Sequence, residues 1–349
     1  MNSFFGVVDA AIPIELLRRF SMEFESIDRG LGSFQKPISA DQLLAVCHRA
    51  FGPTVKVLSA VELNGGSYNS VYRVDIGNHR PVILRVAPEP SRQGIIHREL
   101  MRNEHASLPF FASVSAMMPR VVFADFTHEL IERDYMWQSM LDGIPAHQGL
   151  NAFPRPEWRG FFEQLGTIAK TIHGTLGKRF GRIVGPHYDT WSEAVISLLK
   201  DTVTDLESAG SETDDIRRVI AIASENRTVL NEITKPHLLH GDLWVQNFML
   251  APDADEPKII GILDHDRSSW GDPMADWVIF MAERKPGTER DAFWNTYGAL
   301  PNSHNATWRR LIYRASHLSE LRLELTRQGR KEDISENRRA ISEILNLLA

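Results

Sequence analysis

The stretch His240–Asn247, HGDLWVQN, sets a histidine, an aspartate and an asparagine between two apolar segments. Asp242 and Asn247 stand five residues apart. At that spacing a carboxylate can take the proton of an incoming hydroxyl while an amide oxygen nearby ligates a magnesium ion bridging nucleotide phosphates. In isolation the octet is equally well read as a polar turn, so the decision rests on partners elsewhere. Downstream, GILDHDRSSWGDPMADW places Asp264 at the end of an apolar strand, a position suited to a second metal ligand, with Asp266 two residues on. If the strand continued, alternation would put both carboxylates on one side. Asp272 followed by Pro273 has the form of an N-cap with proline in the first helical position, which makes its job structural, and Asp276 is read the same way. His240, beside a buried strand, is read as orienting the loop through hydrogen bonds.

A second group lies upstream. ELNGGSYNSVYRV puts Gly65, Gly66 and Ser67 at the turn between two predicted strands. Glycines there let the backbone present its N–H groups to phosphate, although a plain hairpin with glycines at positive φ accounts for the same residues. Arg85 closes the predicted strand VILR, where a cation reaches phosphates if a carboxylate holds it. Glu104 on the following helix is the natural partner and Glu99, five residues earlier, is its rival; helix phase separates them. His173 and the helical Trp and Met residues are most simply core, and Arg309, Arg310, Arg338 and Arg339 most simply a solvated helix face.

The elements that must position these residues fall into two regions. Residues 1–40 carry no motif and read as an N-terminal extension, followed by a helix in ADQLLAVCHRAFG. VKVLSAVEL, SVYRVDI and RPVILRVA are short, rich in β-branched residues and broken by Gly, Asn and Pro, which predicts three antiparallel strands. SRQGIIHRELMRNEHASLPFFASV has helical spacing, and PRVVFADF and ELIERDYMWQSM resume the strand pattern. This gives a sheet of about five strands with one helix over residues 41–140. After LDGIP, residues 141–349 are dominated by amphipathic helices, interrupted at His237–Asp264 by a strand–loop–strand element that carries the opening motif. The fold class is α+β.

Together these stretches resemble the aminoglycoside phosphotransferase and choline kinase superfamily, small-molecule kinases with a protein-kinase-like bilobal fold. An H-G-D-x-x-x-x-N loop, an I-D-x-[DE]-like segment and G-D-P-x-x-D occur in order, and the resemblance covers roughly residues 56–285. It implies a small antiparallel-sheet N-lobe with one key helix and a larger, mainly helical C-lobe. It also implies that Asp242 is the catalytic base and that Asn247 and Asp264 bind magnesium, with Asp266 an auxiliary acid near the metals. Gly65, Gly66 and Ser67 would form the Gly-rich turn, and Arg85, paired with Glu104, the phosphate-binding cation. Gln138, Ser139 and Met140 would form the interlobe hinge that bonds the nucleotide base through backbone atoms. Arg85 stands where protein kinases have lysine, which keeps the charge and changes the geometry. Trp244, Val245 and Gln246 depart from the usual small or histidine-containing filling of the loop and could shape acceptor preference.

Composition narrows the remaining choices. The chain has 349 residues, 43% of them hydrophobic, a formal charge of −6 and a single cysteine, Cys47. These values fit one or two globular domains in a reducing compartment, the cytoplasm, and argue against a nucleic-acid binder. No run approaches a membrane span, and the N-terminus lacks the basic segment of a signal peptide. Asp plus Glu against Lys plus Arg is 16 against 14 in residues 1–142 but 19 against 9 in residues 201–300. The second half would suit divalent cations or a cationic acceptor, and equally a set of solvated helix faces. The leading expectation is an ATP- or GTP-dependent O-phosphotransferase acting on a hydroxylated small molecule, an antibiotic by family analogy, with a sugar, amino-alcohol or choline-like acceptor as the metabolic alternative. A nucleotide-binding module without catalysis and a metal-dependent hydrolase using the HGD and LDHD residues are the readings from other classes.

Overall fold

Alternation of apolar and polar residues builds the first lobe, as strand Ser70–Ile76 illustrates by burying Ser70, Tyr72, Val74 and Ile76 in turn. The computed structural model describes residues 22–30, 33–77 and 79–349. Six strands form the sheet: β1 (Glu23–Glu25), β2 (Val57–Glu62), β3 (Ser70–Ile76), β4 (Val82–Val86), β5 (Val121–Asp125) and β6 (Tyr135–Ser139), in the order β1-β2-β3-β4-β6-β5. Every pairing is antiparallel except that of β1 with β2. Helix α1 (Ala40–Phe51) starts at a capping box, in which Ser39 Oγ accepts the Gln42 N–H at 3.2 Å and Gln42 Oε1 accepts the Ser39 N–H at 2.9 Å. Its Leu43, Val46 and Cys47 pack with Tyr72, Leu84 and Trp137 in a core of their own. Each such large side chain contributes roughly 1.5–3 kcal/mol on burial.

The second lobe is helical. Its longer helices are α3 (Trp158–His173), α4 (Trp191–Ser208), α5 (Asp214–Glu225), α6 (Glu289–Tyr297), α7 (His304–Arg327) and α8 (Lys331–Leu348), and α2 (Leu100–Ser107) belongs to the first lobe. Apolar faces of these helices meet in one continuous core that includes Phe161, Leu199, Phe248 and Ile312. Two small sheets carry the loops. Strands β7 (Ile144–Pro145), β11 (Phe248–Leu250) and β12 (Ile259–Ile262) form one, in the order β12-β11-β7. The other contains β8 (Phe180–Arg182), β9 (His187–Tyr188), β10 (His237–Leu239) and β13 (Ser269–Gly271), in the order β10-β13-β8-β9.

Of the N-terminal extension expected over residues 1–40, residues 1–21, 31 and 32 lie outside the described residues; in the described part β1 pairs with β2, Arg29 Nη1 donates to the buried Glu62 at 2.6 Å and Gln35 Nε2 donates to the Asn69 carbonyl at 2.7 Å. Three expectations are corrected. The helical spacing of residues 91–114 does not yield one helix. A 3-10 turn at Pro90–Arg92, a turn segment, α2 and a further 3-10 stretch share it, because the Gly94–Ile96 backbone docks on Asp205, whose oxygens accept the Ile95 and Ile96 N–H groups at 2.8 and 3.0 Å. A Cβ on Gly94 would lie 2.5 Å from that carboxylate. The strand bearing Asp264 stops at Ile262, and Asp264 itself turns left-handed at φ 55°. Finally, Arg309 is buried: its Nη1 donates to the Val229 carbonyl at 3.0 Å and pairs with Glu232.

Candidate active site

Loop His240–Asn247 connects β10 to β11, and one buried carboxylate shapes it. Asp276 accepts the backbone N–H groups of His240 at 2.7 Å, Gly241 at 3.2 Å and Trp277 at 2.7 Å, and lies 3.1 Å from His173 Nε2. Burial alone would raise its pKa, but His173 and the N–H groups hold it down at about 2, so it stays ionised. Gly241 adopts φ 83°, and a Cβ there would sit 2.4 Å from the Arg267 carbonyl oxygen, which explains why this position is glycine. Trp277 Nε1 closes the turn by donating to the Gly241 carbonyl at 3.0 Å. His240 is fully buried, and burial pushes its pKa down to about 4, leaving a neutral ring whose Nδ1 accepts the Asp242 N–H at 3.3 Å. Asp272 caps Pro273–Ala275 by accepting the Met274 N–H at 3.0 Å and also receives the Tyr313 O–H at 2.8 Å.

Asp242 and Asn247 meet directly. The Asn247 Nδ2 group donates to both the Asp242 carbonyl and its Oδ2, each at 2.8 Å, which turns Asn247 Oδ1 away from Asp242. Burial pushes the Asp242 carboxyl up to about 7; Asp266 and Asp264 add to the rise, while Arg267 and Asn247 oppose it. The Leu263 N–H donates to the Asn247 carbonyl at 2.8 Å, so the chain leading to Asp264 is tied to the loop. Asn103, on α2, donates to the carbonyls of Asp266 at 2.8 Å and Ser268 at 2.9 Å and accepts the Val184 N–H at 2.8 Å, fixing the turn that carries Asp264 and Asp266.

Arg85 bridges the lobes. Its Nη1 donates to Glu104 Oε1 at 2.5 Å, and its Nη2 lies 2.9 Å from Asp264 Oδ1 and 4.0 Å from Asp266 Oδ2. Burial opposes the guanidinium charge, but the three carboxylates outweigh it and raise its pKa. Glu104 is the partner; Glu99 precedes the helix in left-handed geometry and its carboxylate lies 4.0 Å from Arg102. Burial also raises the pKa of Glu104 and, with Asp264 and Glu104 contributing, that of Asp266. The donors around this point are carboxylate and amide oxygens, and their crowding leaves the acids short of positive charge. That chemistry fits a hard divalent cation held by Asn247 Oδ1, Asp264 and Asp266.

The remaining expected residues are placed less uniformly. Gln138 lies in β6 opposite Ile83, and its side chain donates to Glu104 Oε1 at 3.2 Å, so it enters the site through its amide group. Ser139 commits its N–H to the Arg120 carbonyl at 2.8 Å and its hydroxyl to the Arg120 N–H at 2.9 Å; Met140 follows at the exposed end of the strand. Gly65 adopts φ 132° with open space around it, and the Gly66 carbonyl accepts Gln35 Nε2 at 3.1 Å. Ser67 Oγ bonds to Glu324 on α7, which ties the Gly-rich turn to the C-lobe. Next to it the Tyr68 hydroxyl donates to the His97 carbonyl at 2.5 Å, and Arg327 lies 2.9 Å from His97 Nδ1. Sequence reasoning missed Asp205, Asn103 and Arg267, whose partners are remote in sequence and leave no local signal.

Residues 59–312, more than half of the chain, match the phosphotransferase enzyme family, APH. The chain belongs to this family. It is therefore a small-molecule kinase, and the solved structures agree with the bilobal fold. A thermostable mutant of aminoglycoside phosphotransferase APH(4)-Ia superposes with TM-score 0.63 at 16% identity, covering 87% of this chain and 99% of that one. A point mutant of aminoglycoside 2'-phosphotransferase-IIIa in its GDP complex gives 0.60 at 17%, covering 88% and 97%. A fructosamine-3-kinase candidate from Thermobifida fusca gives 0.59 at 18%, covering 87% and 100%. Another APH(4)-Ia structure holds AMP-PNP and hygromycin B, with TM-score 0.60 at 17% identity, covering 87% and 98%. No curated protein sequence matches the chain. No helix among the described residues of this phosphotransferase is long and apolar enough to cross a membrane.

Proposed function

We propose that this phosphotransferase moves the γ-phosphoryl group of ATP or GTP to a hydroxyl of a small molecule. The observation that carries the reading is the half-buried Asp242 carboxylate, raised to about 7 and gripped by Asn247 at 2.8 Å, beside the Arg85–Asp264 pair. Asp242 accepts the hydroxyl proton as the acceptor oxygen forms its bond to phosphorus and the bond to the bridging oxygen of the nucleotide diphosphate breaks. Arg85, steadied by Glu104, faces the phosphates. The Gly65–Ser67 backbone lies over them, and Gln138 to Met140 border the base. Asn247, Asp264 and Asp266 would hold magnesium, which supplies charge neutralisation on the phosphates. The single buried, unpaired Cys47 suits the cytoplasm.

Two settings remain for the acceptor. An antibiotic substrate, and with it resistance, follows the neighbours named for aminoglycosides. A metabolic acceptor follows the fructosamine-3-kinase candidate. A metal-dependent hydrolase fits less well, because it leaves Arg85, held between Glu104 and Asp264, and Asn247, held on Asp242, without roles. The test is to incubate the enzyme with Mg-ATP or Mg-GTP and a panel of hydroxylated antibiotics and metabolites, reading the mass gain of one phosphoryl group. Gain with wild type and none with Asp242→Asn is expected. Binding of Mg-ATP with no transfer to any acceptor or to water would overturn the reading.

A further inference from the structure

A cavity of about 240 Å³ lies between α4, strands β8 and β13, and α7, close to the lower bound of roughly 300 Å³ for small-molecule pockets. Gly241 and Arg267 form part of its wall, so it reaches the residue before Asp242. Most of its surface is apolar, with Trp191, Leu198, Trp270 and Tyr313 prominent. The polar atoms of Trp191 and Tyr313 are spent internally: Trp191 Nε1 donates to the Tyr313 hydroxyl at 2.7 Å, and that hydroxyl donates to Asp272 at 2.8 Å. These two rings therefore offer faces and edges to an occupant. On one side the wall continues through His317, whose ring lies 5.5 Å from that of Trp277, and Trp277 stacks at 5.4 Å on Trp244 of the catalytic loop.

Charge in the cavity is close to balanced. Arg182 and Arg267 face Asp201 and Glu320, and Arg267 Nη1 lies 3.6 Å from Glu320. The acidic excess of residues 201–300 does not collect here, since Asp201 and Arg267 are the charged members of that span in the lining. Arg182 uses Nη2 to donate to the Arg98 carbonyl at 2.7 Å, but its Nε is buried without a partner. The unmet demand is thus for an oxygen acceptor, and with Glu320 beside Arg267 and Asp201 facing Arg182 no surplus of carboxylate is left for a ligand carrying several ammonium groups.

Building on the phosphotransferase reading, we infer that the acceptor is a compact hydroxylated molecule with an apolar, ring-sized body and one oxygen-acceptor group such as a carboxylate, seated in this cavity against Arg182. It is not a polycationic aminoglycoside. The apolar body packs among Trp191, Leu198 and Trp270, the oxygen group meets Arg182, and the hydroxyl projects past Gly241 to Asp242.

Calorimetric titration of the ADP- and magnesium-loaded enzyme with 3-phenyllactate, 3-phenylpropan-1-ol and hygromycin B tests this. Both phenyl probes bind at one site, 3-phenyllactate at least fivefold more tightly, and both exceed hygromycin B. Leu198→Trp and, independently, Ala194→Trp weaken both phenyl probes at least tenfold, whereas Arg182→Gln removes the preference for the carboxylate. Melting curves and ADP affinity establish that each variant is folded. Tighter binding of hygromycin B, no binding of either phenyl probe, or phenyl binding indifferent to both tryptophan substitutions overturns the inference. Wild-type turnover of Mg-ATP, measured on the same preparation without added ADP, separates the two readings. Turnover that persists without phenyl binding defeats the acceptor assignment alone, and no turnover toward water or any acceptor defeats the phosphotransferase reading beneath it.

Discussion

On the C-lobe side of the site, backbone N–H groups of His240, Gly241 and Trp277 converge on the single carboxylate of Asp276, whereas on the N-lobe side one guanidinium, Arg85, is shared among Glu104, Asp264 and Asp266. The first arrangement is built from short-range bonds inside one lobe and fixes the path of the catalytic loop. The second spans both lobes and depends on charge balance, so it is able to rearrange when phosphates and magnesium arrive. The contrast assigns rigidity to the proton-accepting end and adjustability to the phosphate end.

Breaking the rigid end has the larger effect on folding. Asp276→Ala strands three backbone N–H donors, that of His240 fully buried, and is expected to destabilise the enzyme by about 3–5 kcal/mol, measured by chemical denaturation. The adjustable end responds differently. Arg85→Lys keeps the charge but loses the fork between Glu104 and Asp264, and is expected to raise KM for ATP roughly tenfold, about 1.4 kcal/mol, with little change in melting temperature.

A pH series sharpens the comparison. Because the folded-state pKa of Asp276 is depressed to about 2, below its ordinary carboxylate value, its stabilisation is present above about pH 4 and is lost as pH falls through 2. The denaturation midpoint of wild type should therefore drop across that window, and Asp276→Asn should lack this share of the drop. The smallest effect is expected at the Gly-rich turn. Ser67→Ala removes one exposed bond to Glu324 and should change stability by less than about 0.5 kcal/mol, while a change in the ATP on-rate by stopped flow would reveal the tether between turn and α7.

The parts of this site that were legible in the sequence are those built from contiguous residues. The spacing of Asp242 and Asn247, the strand leading to Asp264 and the β-branched runs of β2 to β6 are local signals, and strands β2 to β6 and β12 form within those runs. The two aspartates of LDHD do reach one point, but through a left-handed turn at Asp264 and the grip of Asn103, not through strand alternation. Choosing Glu104 over Glu99 needed the helix start at Leu100, which the continuous helical spacing of the segment concealed. The docking of residues 94–96 on Asp205, more than a hundred positions away, and the burial of Arg309 arise from tertiary contacts that no local periodicity encodes.

The central claim is that Asp242 takes the proton in phosphoryl transfer without holding the nucleotide. Steady-state turnover of Mg-ATP by wild type and Asp242→Asn, with ADP affinity measured calorimetrically on both, tests it directly. The account predicts that kcat falls by roughly 10²–10⁴ while ADP affinity stays within about twofold. Wild-type turnover by Asp242→Asn, or loss of ADP binding in parallel with the rate, would contradict it.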